Sequence, residues 1–412
     1  MNDAAPTLPA RCDVLVVGAG PAGSACAHGL AHAGLDTLLV DAHDFPRDKV
    51  CGDGLIPDAH HALQALGILD EVLAHACRAS HVALVGPRGG RLDVPGTLAV
   101  LPRRVLDDIV KRAAERAGAR FLAPVRFQLP IVEDGVVVGA RLKAGDATHD
   151  VRARHVVLAT GASAGPLVAA GVCTRRVPSG IALRGYVRND AMAGRLTALE
   201  IVWHRALSPG YGWIFPAPGG RFNIGVGLSQ SHSTLRDDGS RAMKDLNLRH
   251  VFDAFCRHYA PARAVMEGGT LEGELRGAPL RCTLEGAQWS RPGLLVAGEA
   301  AGSTYAFTGE GIGKALETGA LAADALVAGG DDATVRATYE RSLHALKPRF
   351  DLYERANAIN AHPWLTDLVI WRARHSERLR RRVAGVLEET SNPGHLMSVR
   401  GVAKLLFPSL MS

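Results

Sequence analysis

At 412 residues and 47% hydrophobic content, the chain can hold two or three domains around a large core. A formal charge of +6 is mild for this length, and no dense Lys/Arg run with interleaved aromatics is present, which argues against nucleic acid as a partner. Seven scattered cysteines without a C-x-x-C pair argue against a disulfide framework or a metal site, and no run reaches the ~18 apolar residues of a membrane span. A soluble, cytoplasmic protein is therefore expected, with contact at a membrane surface left open.

The first element is the strand Val14–Val17, which runs into Gly18-x-Gly20-x-x-Gly23. Pro21 and Ala22 lie inside this turn, and Ser24, Ala25 and Ala27 open a helix of small residues. Gly18 makes the tight turn, Gly20 admits a pyrophosphate close to the backbone, and Gly23 lets helix and strand pack closely. The free N–H groups and positive dipole of the helix suit phosphate. Leu35–Val40 reads as the second strand, and Asp41 at its end stands where a ribose hydroxyl is bonded, roughly 20 residues on. The combination predicts dinucleotide binding over a chance turn.

The loop His43–Gly54 is too rich in turn and charged residues to be a regular element. Pro57 then opens a helix with an apolar stripe at Leu63, Leu66, Leu69, Val72 and Leu73. Short strands are expected at His81–Val85 and Arg91–Val94, and a helix over Leu101–Ala117. Segments around Ile131, Val136–Leu142 and Val151 read as a β-meander, followed by the buried strand Arg154–Ala159 ending at Thr160-Gly161. Ile181–Val187, Ala198–Trp203, Gly212–Ala217 and Phe222–Leu228 predict an antiparallel sheet, then a helix over Leu246–Tyr259. The strand Gly293–Ala297 returns the pattern of the first domain and enters a second glycine turn, Gly298-Glu299-Ala-Ala-Gly302. Thr308-Gly309-Glu-Gly311-Ile312-Gly313 follows and leads a helix through Gly319, whose N-terminus suits a partly negative group. Beyond residue 330 the chain reads as helical.

These motifs together resemble the FAD-dependent oxidoreductases of the aromatic-hydroxylase (flavin monooxygenase) superfamily, and within it the geranylgeranyl reductase family. The likeness rests on the first fingerprint, the loop Lys49-Val-Cys51-Gly52-Asp53-Gly54, the strand Tyr211-Gly-Trp213-Ile-Phe215-Pro216 with Asn223–Gly227, and the Gly298–Gly319 stretch. It implies an α/β fold: a Rossmann-like FAD-binding domain of the glutathione-reductase type, discontinuous over 10–75, 100–175 and 280–330. An inserted antiparallel β-sheet substrate domain takes 76–99 and 176–279, and 331–412 is a helical C-terminal region.

The resemblance assigns Gly18, Gly20, Pro21, Ala22, Gly23, Asp41, Gly52, Gly161, Gly298, Gly309, Gly311, Ile312 and Gly313 to the cofactor. It gives Arg103 a place at the FAD phosphates or ribityl chain, against the alternative of a solvated helix-end arginine. Glu299 stands where the family has an Asp that bonds the ribityl hydroxyls. Two departures, Thr160-Gly161-Ala-Ser163 for Asp-Gly and Tyr305-Ala306 for Asn-Pro, imply a remodelled flavin face. Arg47 and Lys49 either offset negative charge on the cofactor or are solvated loop charges. Cys51 is expected to touch flavin or substrate, and Asp53 is a proton-donor candidate if burial raises its pKa. These two are the catalytic candidates.

Tyr211, Trp213 and Phe215 alternate along a strand and share a face, as a cavity wall or as ordinary core. Between Trp371 and Val383 lie six arginines on a helix with an apolar side at Leu365, Leu368, Leu379, Val383 and Val386. A surface helix packed on the protein is preferred over one lying on a membrane. The activity implied is reduction of C=C bonds in a hydrophobic, isoprenoid-like or polyunsaturated small molecule by hydride from flavin N5. NADPH, NADH or an electron-donor protein would supply the electrons. Alternatives are a monooxygenase acting on a hydrophobic or aromatic molecule and a non-catalytic flavin-binding module.

Overall fold

The computed structural model describes residues 7–229 and 246–389, and between them the backbone of two short strands. The chain runs through β1 (Arg11–Val17), α1 (Pro21–His32), β2 (Thr37–Val40), β3 (Gly54–Leu55), α2 (Pro57–Ala65), α3 (Leu69–His75), β4 (Cys77–Val85), β5 (Arg91–Val100) and α4 (Arg103–Arg116). It continues with β6 (Arg120–Leu122), β7 (Val125–Glu133), β8 (Val136–Ala144), β9 (Ala147–Leu158), α5 (Ala164–Ala169), β10 (Gly180–Arg188), β11 (Leu199–Val202), β12 (Gly210–Ala217) and β13 (Arg221–Ser229). After β14 (Thr234–Leu235) and β15 (Arg241–Ala242) come α6 (Leu248–His258), α7 (Ala260–Glu267), β16 (Thr270–Leu280), β17 (Ser290–Arg291) and β18 (Leu294–Val296). The described chain closes with α8 (Ile312–Ala328), α9 (Asp332–Ala356), α10 (Ala358–Ala361), α11 (Trp364–Arg374) and α12 (Glu377–Leu387).

Two large sheets organise the molecule. In the first, β18, β9, β1, β2 and β6 are parallel neighbours in that order. Its strands are apolar on both sides because both faces are covered. Leu15 and Val17 of β1 point into a core with Val125, Val137 and Leu142 of the β7–β8 hairpin, whereas Val14 and Val16 face α1, α8 and α9. The last strand of the expected meander and the return strand are one element: β9 pairs with β8 at its start and with β1 from Arg152 onward.

The second sheet has the order β16-β10-β13-β12-β11-β4-β5-β3. One face packs against α6 and α7, where Ile214, Ile224 and Phe255 share a core. The other faces a cavity roofed by the C-terminal helices. The sheet was expected to be antiparallel, but β11 pairs with β4 in parallel, because the β4–β5 hairpin joins through that edge. The edge strand β16 and the three-residue β6 had no sequence signal. The polar stretch Thr270–Gly277 becomes a strand only by bonding along β10.

Two expected helices are broken in the structure. The stripe after Pro57 divides into α2 and α3 because Gly67, at φ +70°, ends the first helix, its N–H donating to Gln64 O. The arginine-rich helix divides into α11 and α12 where Ser376 Oγ accepts from Leu379 N–H and starts a new helix. The helix expected to reach Gly319 extends to Ala328. Of the C-terminal helical region, 390–412 lie outside the described residues.

The α1–α8 contact joins the two glycine turns. A Cβ on Gly319 would stand 2.1 Å from Ala22 O, and one on Gly298 2.5 Å from Ala22 Cβ. Alanine at a helical position normally stabilises by about 1 kcal/mol over glycine. Gly319→Ala is instead expected to destabilise by about 1–3 kcal/mol, through overpacking against α1. Urea denaturation of the holoprotein checks the sign.

Candidate functional site

The glycine turn at the end of β1 is closed on three sides. Gly18 has φ +103°, and a Cβ there would stand 2.4 Å from Ala159 O, so the strand-to-helix turn requires glycine. Asp41 at the end of β2 accepts from Ala19 N–H at 2.9 Å and from His43 N–H at 3.0 Å, pinning the turn to the second strand. Gly20 caps α1 with Pro21 in its first turn.

Two guanidinium groups stand over this helix end. The nearest atoms to a Cβ on Gly20 would be Arg47 Nη2 at 3.6 Å and Arg103 Nη2 at 3.9 Å. Asp107 holds both: Arg103 donates to it at 2.6 and 2.9 Å, and Arg47 at 3.1 Å. Arg103, opening α4, is buried rather than solvated at a helix end. A helix N-terminus, backbone free of side chain and two fixed cations form a donor set that fits a pyrophosphate.

From this end a single cavity of about 980 Å³ runs through the molecule, at the upper end of the range for small-molecule sites, about 300–1,000 Å³. Its middle is formed by the Lys49–Gly54 loop, Gly161, Glu299 and Gly309–Ile312. Lys49 Nζ donates to Glu299 Oε2 at 3.5 Å, placing the loop opposite the second glycine turn. Its far lobe is apolar and lies between the second sheet and α11–α12. Gly18, Gly20, Pro21, Ala22, Asp41, Arg47, Cys51, Gly52, Asp53, Arg103, Gly161, Glu299, Gly309, Gly311 and Ile312 all border this cavity.

Three expected cofactor residues do not border it. The space beside Gly23 is filled by Gly18 O, beside Gly298 by Ala22 and beside Gly313 by the Asp58 carboxylate. Their lack of a side chain serves close packing.

Tyr211, Trp213 and Phe215 share the cavity face of β12, while Gly212 and Ile214 turn to the opposite core. Tyr211 O–H donates to Thr308 O at 2.5 Å, tying the strand to the turn before α8. Trp213 donates to Asn223 Oδ1 at 2.9 Å, and its ring occupies the space beside Gly225. Phe215 lies against Gly52 and Gly54, within 3.4 Å of a Cβ on either.

Asp53 stands in the cavity wall with no surface open to water and with φ +64°, a conformation that favours glycine. Its Oδ2 accepts from Tyr186 O–H and from Asn223 Nδ2 at 2.8 Å, while Oδ1 has no partner. Burial pushes its pKa up to about 6, against the Tyr186 and Asn223 hydrogen bonds and the Arg184 and Arg103 charges. Asn223 Nδ2 also donates to Cys51 O at 2.8 Å, so one amide ties both Cys51 and Asp53 to β13. Sequence reasoning singled out neither Tyr186 nor Arg184. Asn223 entered only as the start of the Asn223–Gly227 segment that carries the resemblance, with no role assigned to it.

Residues 11–181 match the FAD binding domain family. A menaquinone reductase of Mycolicibacterium smegmatis is 32% identical over 354 residues, 78% of this chain and 77% of its own. A digeranylgeranylglycerophospholipid reductase of Methanopyrus kandleri is 32% identical over 315 residues, 76% of each chain. Among solved structures, a geranylgeranyl bacteriochlorophyll reductase-like protein from Thermoplasma acidophilum gives a TM-score of 0.71 at 22% identity over 97% of each chain. A flavin-dependent brominase gives 0.70 at 20% identity over 95% of each, a likeness of fold alone.

Gly20→Val is expected to give a colourless protein that stays so after incubation with FAD, because the branched side chain fills the space beneath the two guanidiniums. Arg103→Ala should weaken FAD binding roughly 10- to 150-fold, for hydrogen bonds to charged groups of about 1.5–3 kcal/mol. Flavin fluorescence titration of the apoprotein measures both.

Proposed function

This chain belongs to the geranylgeranyl reductase family of FAD-dependent oxidoreductases, and from that premise we propose that it reduces C=C bonds of an apolar, isoprenoid-like or polyunsaturated small molecule. The observation that carries the reading is the apolar lobe continuing from the Cys51–Gly54 loop, with an aspartate of raised pKa in the wall between. Curated relatives named for reducing menaquinone and a digeranylgeranyl phospholipid support it.

When bound and reduced, FAD would supply the hydride chemistry beside the Lys49–Gly54 loop and Gly309–Ile312. The protein must orient the double bond and furnish a proton to its second carbon. Tyr211, Trp213 and Phe215 exclude water from one side of the site, and the hydrogen bonds from Tyr211 to Thr308 O and from Trp213 to Asn223 Oδ1 fix the wall. Asp53 is the proton donor in this reading. Tyr186 and Asn223 engage Oδ2, leaving Oδ1 as the oxygen that carries the proton. Cys51 borders the same space and shapes it. Arg47, Arg103 and Asp41 hold the dinucleotide end.

NADPH, NADH or an electron-donor protein would supply the electrons. Among the described residues no helix is long and apolar enough to cross a membrane, and cytoplasmic placement with contact at a lipid surface completes the reading.

Two experiments test it. Under anaerobic turnover, product should gain two hydrogens per double bond, whereas strict O₂ dependence with oxygen incorporation would make the enzyme a monooxygenase. The second concerns pH. An acid is active while protonated, so kcat should fall as pH rises through about 6, the value to which burial lifts Asp53. Asp53→Asn should remove that limb and lower kcat about 10²- to 10⁴-fold. Asp58, also pushed up to about 6 by burial, lies outside the cavity wall, and Asp58→Asn should keep the limb. A wild-type pH profile in Asp53→Asn would assign the carboxyl to structure. Because the folded value exceeds the ordinary 3.8, stability contributed by protonated Asp53 is present at low pH and is lost as pH rises through that window.

A further inference from the structure

The two faces of the α11–α12 pair differ in chemistry. Inward, Val369 and Ile370 of α11 and Val383 and Leu387 of α12 border the apolar lobe, and Leu379 packs with Leu92 and Val94 of β5. Outward, Trp364 and Trp371 are 54% and 53% exposed, the most exposed large apolar side chains among the described residues. Seven residues apart, they fall within about 20° of each other around the helix, opposite Val369 and Ala373. The Arg372 guanidinium stands 5.3 Å from the Trp371 ring centroid.

The charge along α11–α12 is mostly positive, and the acid between the two tryptophans, Asp367, is paired with Arg88 at 3.9 Å. Six arginines and a single acid, Glu377, lie between Trp371 and Val383. Glu377 pairs with Arg380 and Arg381, and the Arg381 side chain remains 79% exposed. A second copy of this surface would bring arginines against arginines, which opposes self-association through a two-fold contact. Tryptophan favours the boundary between water and hydrocarbon, and each arginine near an anionic bilayer adds about 1 kcal/mol of attraction.

We propose that the outer face of α11–α12 docks on an anionic lipid bilayer, so that the helices walling the apolar lobe also seat the enzyme on the membrane that holds its substrate. The docking rests on these surface residues alone, and its use for substrate uptake rests on the reading above. A lipid entering beside the helix pair would pass from bilayer to cavity with little exposure to water, which would otherwise oppose transfer of a long apolar chain.

The test is co-sedimentation of the FAD-loaded full chain with vesicles of phosphatidylcholine alone or mixed with phosphatidylglycerol. Binding is expected to the mixed vesicles, weakening as salt rises, with a blue shift of tryptophan emission. Trp364→Ser with Trp371→Ser, and separately Arg378→Glu with Arg381→Glu, should each weaken binding at least about tenfold, for roughly 1.4 kcal/mol lost. Both should retain flavin absorbance and turnover of a short water-dispersed substrate, which shows that they fold. Equal binding to neutral vesicles, no binding, or binding unchanged in both variants would overturn the proposal. So would a dimer abolished by the tryptophan substitutions in place of vesicle binding. Vesicle binding without turnover of any lipid would instead count against the reductase reading and leave the docking intact.

Discussion

The backbone-to-backbone approach of α1 and α8 is the constraint on which the site depends. Ala22 lies where side chains on Gly298 and Gly319 would be, and Gly29 repeats the arrangement with a would-be Cβ 2.9 Å from Ala323 Cβ. A single larger residue along this seam would separate the helices. Their N-terminal ends would then no longer border one cavity, and a ligand held by both would lose half its contacts.

Given that seam, the site is graded along its length. Its first end is cationic, with Arg47 and Arg103 held by Asp107 over a helix N-terminus. Its centre holds the paired Lys49 and Glu299 and the buried Asp53. Its far lobe is hydrocarbon. The order follows the chemistry of a dinucleotide whose pyrophosphate joins a nucleoside to a redox ring, with an apolar partner beyond the ring. The burial that lifts Asp53 comes from the same packing that lines the lobe with apolar side chains.

The roof over the lobe is tied down by charge. Lys314, 3% exposed at the start of α8, donates to Glu389 at 3.0 Å and to Glu317 at 2.9 Å. Glu389, just after α12, also accepts from Tyr305 O–H at 2.8 Å and Arg349 at 2.6 Å. A buried charge needs its partners, so this cluster fixes where the C-terminal helices end relative to the cofactor helix, whatever its net contribution to stability.

The glycine turns, the strands that feed them and the aromatic face of β12 were legible in the residues, because each is a local demand. A left-handed turn needs glycine, a strand buried on both faces needs continuous apolar residues, and alternation places Tyr211, Trp213 and Phe215 on one side. Tertiary structure alone decided the rest. Asp53 meets Tyr186 and Asn223 across 133 and 170 residues of chain, so neither its burial nor its partners can be read from its neighbours. Arg103 faces a ligand site rather than solvent only because α4 packs beside α1. The pairing of β11 with β4 and the strand at Thr270–Leu280 likewise arise from hydrogen bonds to distant backbone, which local preference does not encode.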